Sequence, residues 1–400
     1  MRQAALAAPF RNTLQLKPVL GIMHHNGKGG SQDRAEARRL YGLAAEQGDA
    51  YAQFTLGNMH NIGEGGPRDR AEARRLYGLA AAQGYTRAQY MLGVMYYTGK
   101  GGPRDFAEAR PLLGLSAAQG DARAQYLLGN MHRRSEGGPQ DLAEARRLLG
   151  LAAEQCHAEA QRNLGNMHYN GEGGSCDFTE ARRLLGLAAE QGNAYAQCFL
   201  GDMHYNGEGG PPDLTEARRL FGLAAAQGHA EAQCNLGNMH YNGEGGSCDF
   251  TEARRLLGLA AEQGNAIARS DLGIMYYTGK GGPRDLAEAR RLCGLAAAQG
   301  EAVAQCMLGR MHHRGEGAAV DFAEARRLLG LAAEQGNANA RYRLGNMHYN
   351  GEGVPRDLVE ARRLCGLAAA QGDAVAQCTL GCMHHDGEGG PINCAEARRL

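Results

Sequence analysis

Cys378, Cys382 and His385 stand at i, i+4 and i+7, so on a helix they share one face. Thiolate sulfur and imidazole nitrogen are the donors a tetrahedral zinc site uses, and Cys394 offers a distant fourth. The spacing matches no zinc motif, however. Cysteine at the register of Cys378 recurs as Cys198, Cys234 and Cys306, where other segments carry Phe54 or Tyr90. That interchange is the behaviour of a small hydrophobe and reads these positions as buried free thiols. Cys293 with Cys306, and Cys365 with Cys378, are 13 residues apart and could bridge only in an oxidising compartment. The 11 cysteines are odd in number and none precedes Cys156, which fits reduced thiols better than a disulfide framework.

Histidine, 14 in all, mostly follows a recurring methionine, as in His60, His132, His168, His240, His312 and His384. Isolated rings at so wide a spacing do not converge on a metal, so packing is the simpler reading. The Gly27-Lys28-Gly29-Gly30 turn lacks the G-x-x-x-x-G-K-[ST] phosphate loop, and no G-x-S-x-G, H-E-x-x-H or C-x-x-C occurs. No nucleophile paired with a base emerges, so no catalytic residue, cofactor or bound metal is expected. Lys+Arg and Asp+Glu are 43 each, a balance that argues against a nucleic-acid partner. No apolar run reaches the length of a membrane span. The start, through Arg11, is too short and weakly apolar for a secretory signal. The expected compartment is the cytoplasm, with an organelle lumen as the alternative.

The elements that position these residues follow from one period. Leu-Gly with Met two residues later recurs at Gly57, Gly93, Gly129 and onward to Gly381, every 36 residues. Eleven repeats therefore begin near 13, 49, 85, 121, 157, 193, 229, 265, 301, 337 and 373, after an irregular segment over 1–12. In repeat two, Ala52, Leu56, Met59 and His60 mark one face of a first helix, which Gly63, Gly65 and Gly66 end. Asp69 with Glu72 reads as a capping box for a second helix that buries Ala71, Ala73, Leu76, Tyr77, Ala80 and Ala81. Glu72 also precedes Arg75 by one turn, and Gly84 stops the helix. Such a pair cannot bury its apolar stripes alone and must stack on its neighbours, giving an all-α solenoid. Arg pairs such as Arg74-Arg75 read as a solvated ladder beside glutamates.

Several positions depart from this rule. Pro18 disturbs the first repeat, Pro111 stands inside a second helix, and Ser135 and Cys156 replace turn glycines, which predicts local weakness between about 105 and 160. Leu400 falls before its repeat is complete, an end that would permit end-to-end self-association.

The pattern Ala52, Leu56-Gly57, Met59, Gly63-Glu64-Gly65, Asp69, Ala73, Ala80-Ala81 and Gly84 resembles the Sel1-like repeat family, a relative of the tetratricopeptide repeat. The resemblance covers nearly the whole chain. It implies a right-handed α/α superhelix with a scaffold or adaptor role. The family's usual Tyr after the Leu-Gly-x-Met run survives only at Tyr96 and Tyr276; His replaces it elsewhere. Gly in mid-helix, as at Gly78, Gly150 and Gly258, is a further departure and suggests a soft solenoid.

Comparing the repeats with one another marks a candidate surface. Positions six and two before the Leu-Gly glycine, then one and five after it, vary while the core positions stay fixed, and they form one stripe of the first helix. Repeat two places Tyr51, Thr55, Asn58 and Ile62 there; repeat six places Tyr195, Phe199, Asp202 and Asn206. Repeat eight supplies Ile267, Asp271, Ile274 and Thr278, and repeat nine Val303, Met307, Arg310 and Arg314. The stripe lies on the helix that lines the concave side in related repeats, and its Tyr195, Phe199, Ile267 and Met307, read as exposed, favour contact with a protein or peptide. The chain is thus expected to be a non-enzymatic scaffold. A hydrolase of the kind claimed for some relatives, or a metal- or redox-sensing rod, are the alternatives.

Overall fold

The computed structural model describes residues 22–25 and 32–399. The expectations for residues 1–12, Pro18 and the Gly27 turn lie outside the described residues. Among the described residues every regular element is an α-helix. The chain divides into two compact halves, Met1–Ala196 with Glu208–Gly210 and Gln197–Gly207 with Pro211–Leu400, and the division runs through the first helix of repeat six, Ala194–Asn206. Within each half, two antiparallel helices per repeat stack on the next pair as an α-solenoid.

Repeat seven shows why these residues fold this way. His229 caps the first helix, Ala230–Asn242, with Nδ1 accepting from the Ala232 N–H. Gly243 ends it at φ 75°, a left-handed conformation that glycine adopts without steric cost. The Asp249 N–H then donates to the His240 carbonyl at 2.9 Å and fastens the turn. The second helix, Phe250–Glu262, starts with the Asp249 side chain accepting from the Thr251 and Glu252 N–H groups. Ala253, Leu257, Ala260 and Ala261 of this helix pack with Ala268, Leu272, Met275 and Leu292 from repeat eight. Removing such small and aliphatic side chains from water in every repeat is the main stabilising effect, at roughly 25 cal/mol per Å².

Repeat two follows the same plan with two differences from the sequence reading. Ala71 is exposed, while Ala73, Leu76, Tyr77, Ala80 and Ala81 are buried. The capping box is half made: Asp69 accepts from the Glu72 N–H, but the Glu72 carboxylate turns to Arg75 at 2.6 Å. An adjacent guanidinium outcompetes the Asp69 N–H, which already donates to the His60 carbonyl.

The irregular repeats keep their helices. Phe106–Ala118 runs on through Pro111. Ser135 and Cys156, at φ 59° and 61°, are the non-glycine residues with positive φ among the described residues. Each carries about 1–2 kcal/mol of strain there.

The arginine ladder is not one solvated face. The second arginine of each pair clasps the glutamate one turn earlier, as Arg147 does Glu144 and Arg255 does Glu252. The first reaches into the next repeat. In the N-terminal half, Nη2 of Arg38, Arg110 and Arg146 donates to Nδ1 of His60, His132 and His168 at 2.8, 2.7 and 2.6 Å. In the C-terminal half Arg218 meets His240 at 2.8 Å and Arg290 meets His312 at 2.9 Å. Where tyrosine replaces histidine, the guanidinium lies over the ring instead, Arg74 3.7 Å above Tyr96 and Arg254 3.8 Å above Tyr276. Recurring histidine is therefore a latch between repeats.

Acid should open these latches. Burial first, and the adjacent arginine second, hold His60, His132, His168, His240 and His312 below the ordinary 6.5. The folded chain thus binds fewer protons than the unfolded chain once the pH drops under that value, so its stability is complete above about 6.5 and declines below it. Urea unfolding should show a lower midpoint at about pH 5.5 than at about pH 7.5. Changing these five histidines to tyrosine should flatten the difference, because tyrosine keeps the arginine contact and does not titrate there. An unchanged slope in that variant would reject the latch as its source.

Candidate partner-binding groove

The stripe picked out by variation divides into two environments. Positions six before the glycine are exposed: Tyr51 at 40 % and Tyr195 at 64 % in the N-terminal half, Ile267 at 57 % and Val303 at 45 % in the C-terminal half. Positions two before and one after are mostly half-buried, and buried at Asn130, Asn163 and Met307, because they face the first helix of the neighbouring repeat. Asn163 donates to Asn130 at 2.9 Å in the N-terminal half. In the C-terminal half Asn235 donates to Asp202 and Asn238 to Asp271, each at 3.0 Å. Asn58 accepts from the Tyr77 hydroxyl at 2.7 Å.

Two residues read as exposed are not. Phe199 is half-buried. Met307 is 7 % exposed and packs with Cys293, Ala296, Ala304, Leu308 and Leu328. The register two residues before the glycine points at the adjoining repeats, so a large apolar side chain there joins the core. Arg310 lies over the Tyr277 ring, 4.4 Å from its centroid, and donates to Met307 Sδ at 2.9 Å.

Between the first helices of repeats six to eight, in the C-terminal half, lies a recess of 540 Å³. Asp202, Asn235, Asn238 and Asp271 line it together with Tyr205, Tyr241, Asn242 and Glu244. Burial pushes the Asp271 carboxyl up, against the opposing bond from Asn238. Tyr205 donates to Glu244 at 3.0 Å. This last contact belongs to a series that the sequence reading missed. Glutamates of the G-x-G turns accept from the preceding repeat: Tyr169 to Glu208 and Arg133 to Glu172 in the N-terminal half, Tyr277 to Glu316 and Tyr349 to Glu388 in the C-terminal half. The signal is present as Tyr four residues after the Leu-Gly glycine in six repeats and Glu inside the G-x-G segments other than Gly27-Lys28-Gly29, Gly99-Lys100-Gly101 and Gly279-Lys280-Gly281. Their sequence separation of 39, longer than one repeat, concealed it. Carboxylates, amides and phenols set this densely suit hydrogen-bond donors and cationic groups.

Cys378, Cys382, His385 and Cys394, weighed above as zinc donors and set aside, line one recess, of 780 Å³. Among the described residues, though, the group of donors lying within 4.8 Å of one another is Cys198, His229 and Glu231. There His229 Nδ1 already caps its helix and burial pushes the Cys198 thiol up, disfavouring the thiolate a metal requires. All the cysteines are free thiols; Cys198, Cys234 and Cys306 are buried as their register suggests, but Cys378 in the same register is exposed, because the chain beyond it, the rest of the final repeat, covers less of that face. Burial pushes Cys234 and Cys293 up to about 12 and Cys365 up to about 11, so these remain protonated and inert.

The Sel1 repeat matches residues 19–49, 50–85, 86–121, 122–155, 158–193, 194–229, 230–265, 266–301, 302–337, 338–373 and 374–400. The chain is a Sel1 repeat protein. Its structure is similar to that of a protective antigen present in uropathogenic Escherichia coli strains, which displays an SLR fold, with 32 % identity and a TM-score of 0.89 over 96 % of this chain and 82 % of that one. It is also similar to a Sel1 repeat protein from Oxalobacter formigenes, with 33 % identity and a TM-score of 0.60 over 77 % of this chain and 89 % of that one. No curated protein matches the sequence. Sel1 repeat proteins typically serve as scaffolds for protein interaction. No described helix is long and apolar enough to cross a membrane.

Proposed function

We propose that this Sel1 repeat protein is a non-enzymatic scaffold that holds a protein or extended peptide against the first helices of its repeats. The observation that supports this is the pairing, on one helix stripe, of exposed apolar residues with a polar recess built in advance. Ile267 stands exposed one helix turn before Asp271, whose recess is fixed by the Asn235–Asp202 and Asn238–Asp271 bonds, and Val303 is exposed one repeat further along the stripe. Pre-organised walls lose little entropy on binding, and apolar anchors beside them supply the desolvation that drives it. Tyr51 and Tyr195 present a comparable aromatic surface in the N-terminal half.

Capture from a matched lysate tests the reading, with the full chain compared against a variant carrying Tyr51→Ser, Tyr195→Ser, Ile267→Ser and Val303→Ser. All four side chains are exposed, so the variant should keep its helical circular dichroism. Retained proteins identified by mass spectrometry should be lost by more than about tenfold in the variant, the effect of truncating one strong anchor. Equal retention by both would remove the stripe as the binding surface.

A further inference from the structure

Arg310 and Arg343 stand on neighbouring first helices of the C-terminal half, Ala302–Arg314 and Ala338–Asn350. On the second helices, Arg255, Arg291 and Arg327 each clasp a glutamate. On the neighbouring first helices Arg310 and Arg343 make no ion pair with any described residue; Arg310 Nη2 rests on the weak acceptor Met307 Sδ and Arg343 Nε on the neutral Asn339 Oδ1 at 2.6 Å. Arg310 Nε is buried with no hydrogen-bond partner. The carboxylate sharing their space, Glu352, is held by His313 at 2.6 Å. Burial lowers the pKa of Arg343, with the charges of Arg310 and Arg314 acting in the same direction.

The two guanidiniums border a recess of 80 Å³ together with His313, Asn346, Asn350 and the Glu352 carboxylate. They also border a second, of 250 Å³, whose apolar wall is Ile274, Val303 and Met307. Adjacent half-buried cations whose one neighbouring carboxylate, Glu352, is engaged by His313 are electrostatically unfavourable, and a planar carboxylate with two forks to accept relieves both at once. The apolar wall beside them suits an aliphatic side chain next to that carboxylate. The groove also changes sign here: helix Ala266–Thr278 contributes Asp271 to the acidic recess and Ile274 to the basic one.

We propose that Arg310 and Arg343 form a carboxylate-binding subsite for an acidic peptide, with the neighbouring aliphatic side chain seated on Ile274, Val303 and Met307. The proposal rests on the scaffold reading and gives it a ligand chemistry and a direction.

Fluorescence anisotropy on the full chain tests it, using a labelled, C-terminally amidated peptide of alternating leucine and glutamate. Its glutamine counterpart is the control, and a free-acid version of that counterpart separates a chain end from a side chain as the source of the carboxylate. The acidic peptide should bind, the amidated glutamine peptide should bind at least about tenfold more weakly, and Arg310→Gln and Arg343→Gln should each cost roughly tenfold. Arg255→Gln, on the outer ladder, should change nothing, and circular dichroism should verify the fold of every variant. Preferential binding of the free-acid glutamine peptide, lost in the same two variants, supports the subsite with a chain end as ligand. Equal binding of all three peptides, unaltered binding by the variants, or no binding at about 1 mM overturns the subsite. If the lysate capture depends on the stripe while these peptides fail, the scaffold stands and the subsite falls; the reverse pattern keeps the subsite and removes the scaffold.

Discussion

Replacing Gly245 by alanine should destabilise the C-terminal half by about 3 kcal/mol or more. Two costs add. Gly245 sits at φ 65°, where a side chain carries about 1–2 kcal/mol of strain. Its new Cβ would also lie 2.2 Å from the Leu214 carbonyl oxygen and 2.7 Å from the carbonyl carbon. Leu214 is the first residue of the second helix in the preceding repeat, so this backbone cannot yield without drawing Leu214–Ala226 off its neighbour. Overpacking of that kind costs typically about 1–3 kcal/mol. Gly264→Ala separates the two effects: Gly264 has φ 93°, but its Cβ would meet nothing closer than Arg269 Nη2 at 3.8 Å. Urea midpoints should therefore fall further for Gly245→Ala than for Gly264→Ala. Equal losses would mean that the close approach between repeats contributes nothing. The change should reach the groove as well, since the adjacent Glu244 accepts from Tyr205 at the recess.

The period of 36 residues, the turn glycines and the Asp caps made the helices legible before any coordinates. These are local devices, and local geometry depends on neighbouring residues. What escaped was everything that repeats do to one another. Asp202 and Asn235, 33 residues apart, look like variable surface in sequence, yet they bond across two first helices. Met307 was read as exposed because a single helix exposes that face; the next repeat covers it. The Arg-Arg pairs carry two roles in adjacent positions, and only the turn of the helix tells the inward latch from the outward clasp. Of the stripe, the exposed positions Tyr51, Tyr195, Ile267 and Val303 were legible, whereas the change of sign from Asp271 to Arg310 and Arg343 needed the recesses to be drawn.

The mid-helix glycines lead to the opposite expectation from Gly245. Added Cβ atoms at Gly42, Gly78, Gly114, Gly150, Gly186, Gly222, Gly258, Gly294 and Gly330 meet nothing within 4 Å. Each lies inside a regular second helix, where alanine is better than glycine by about 0.5–1 kcal/mol, chiefly because glycine leaves more freedom in the unfolded chain. Sites one repeat apart share no side-chain contact, so the gains should add to roughly 4–9 kcal/mol in the chain with all nine changed. A calorimetric or urea series that introduces them stepwise should show the midpoint rising with each substitution. No rise would mean that the second helices are held by their neighbours so firmly that backbone propensity is irrelevant. Nothing in the packing requires glycine at these positions. The exposed leucines that follow them, among them Leu79, Leu223, Leu259 and Leu295, therefore stand beside an open notch in the helix surface. If the nine-alanine chain gains stability yet holds its captured proteins as before, the notch is dispensable and binding belongs to the first helices. If it gains stability and releases them, the second helices also carry a contact surface, and glycine is there to keep it open.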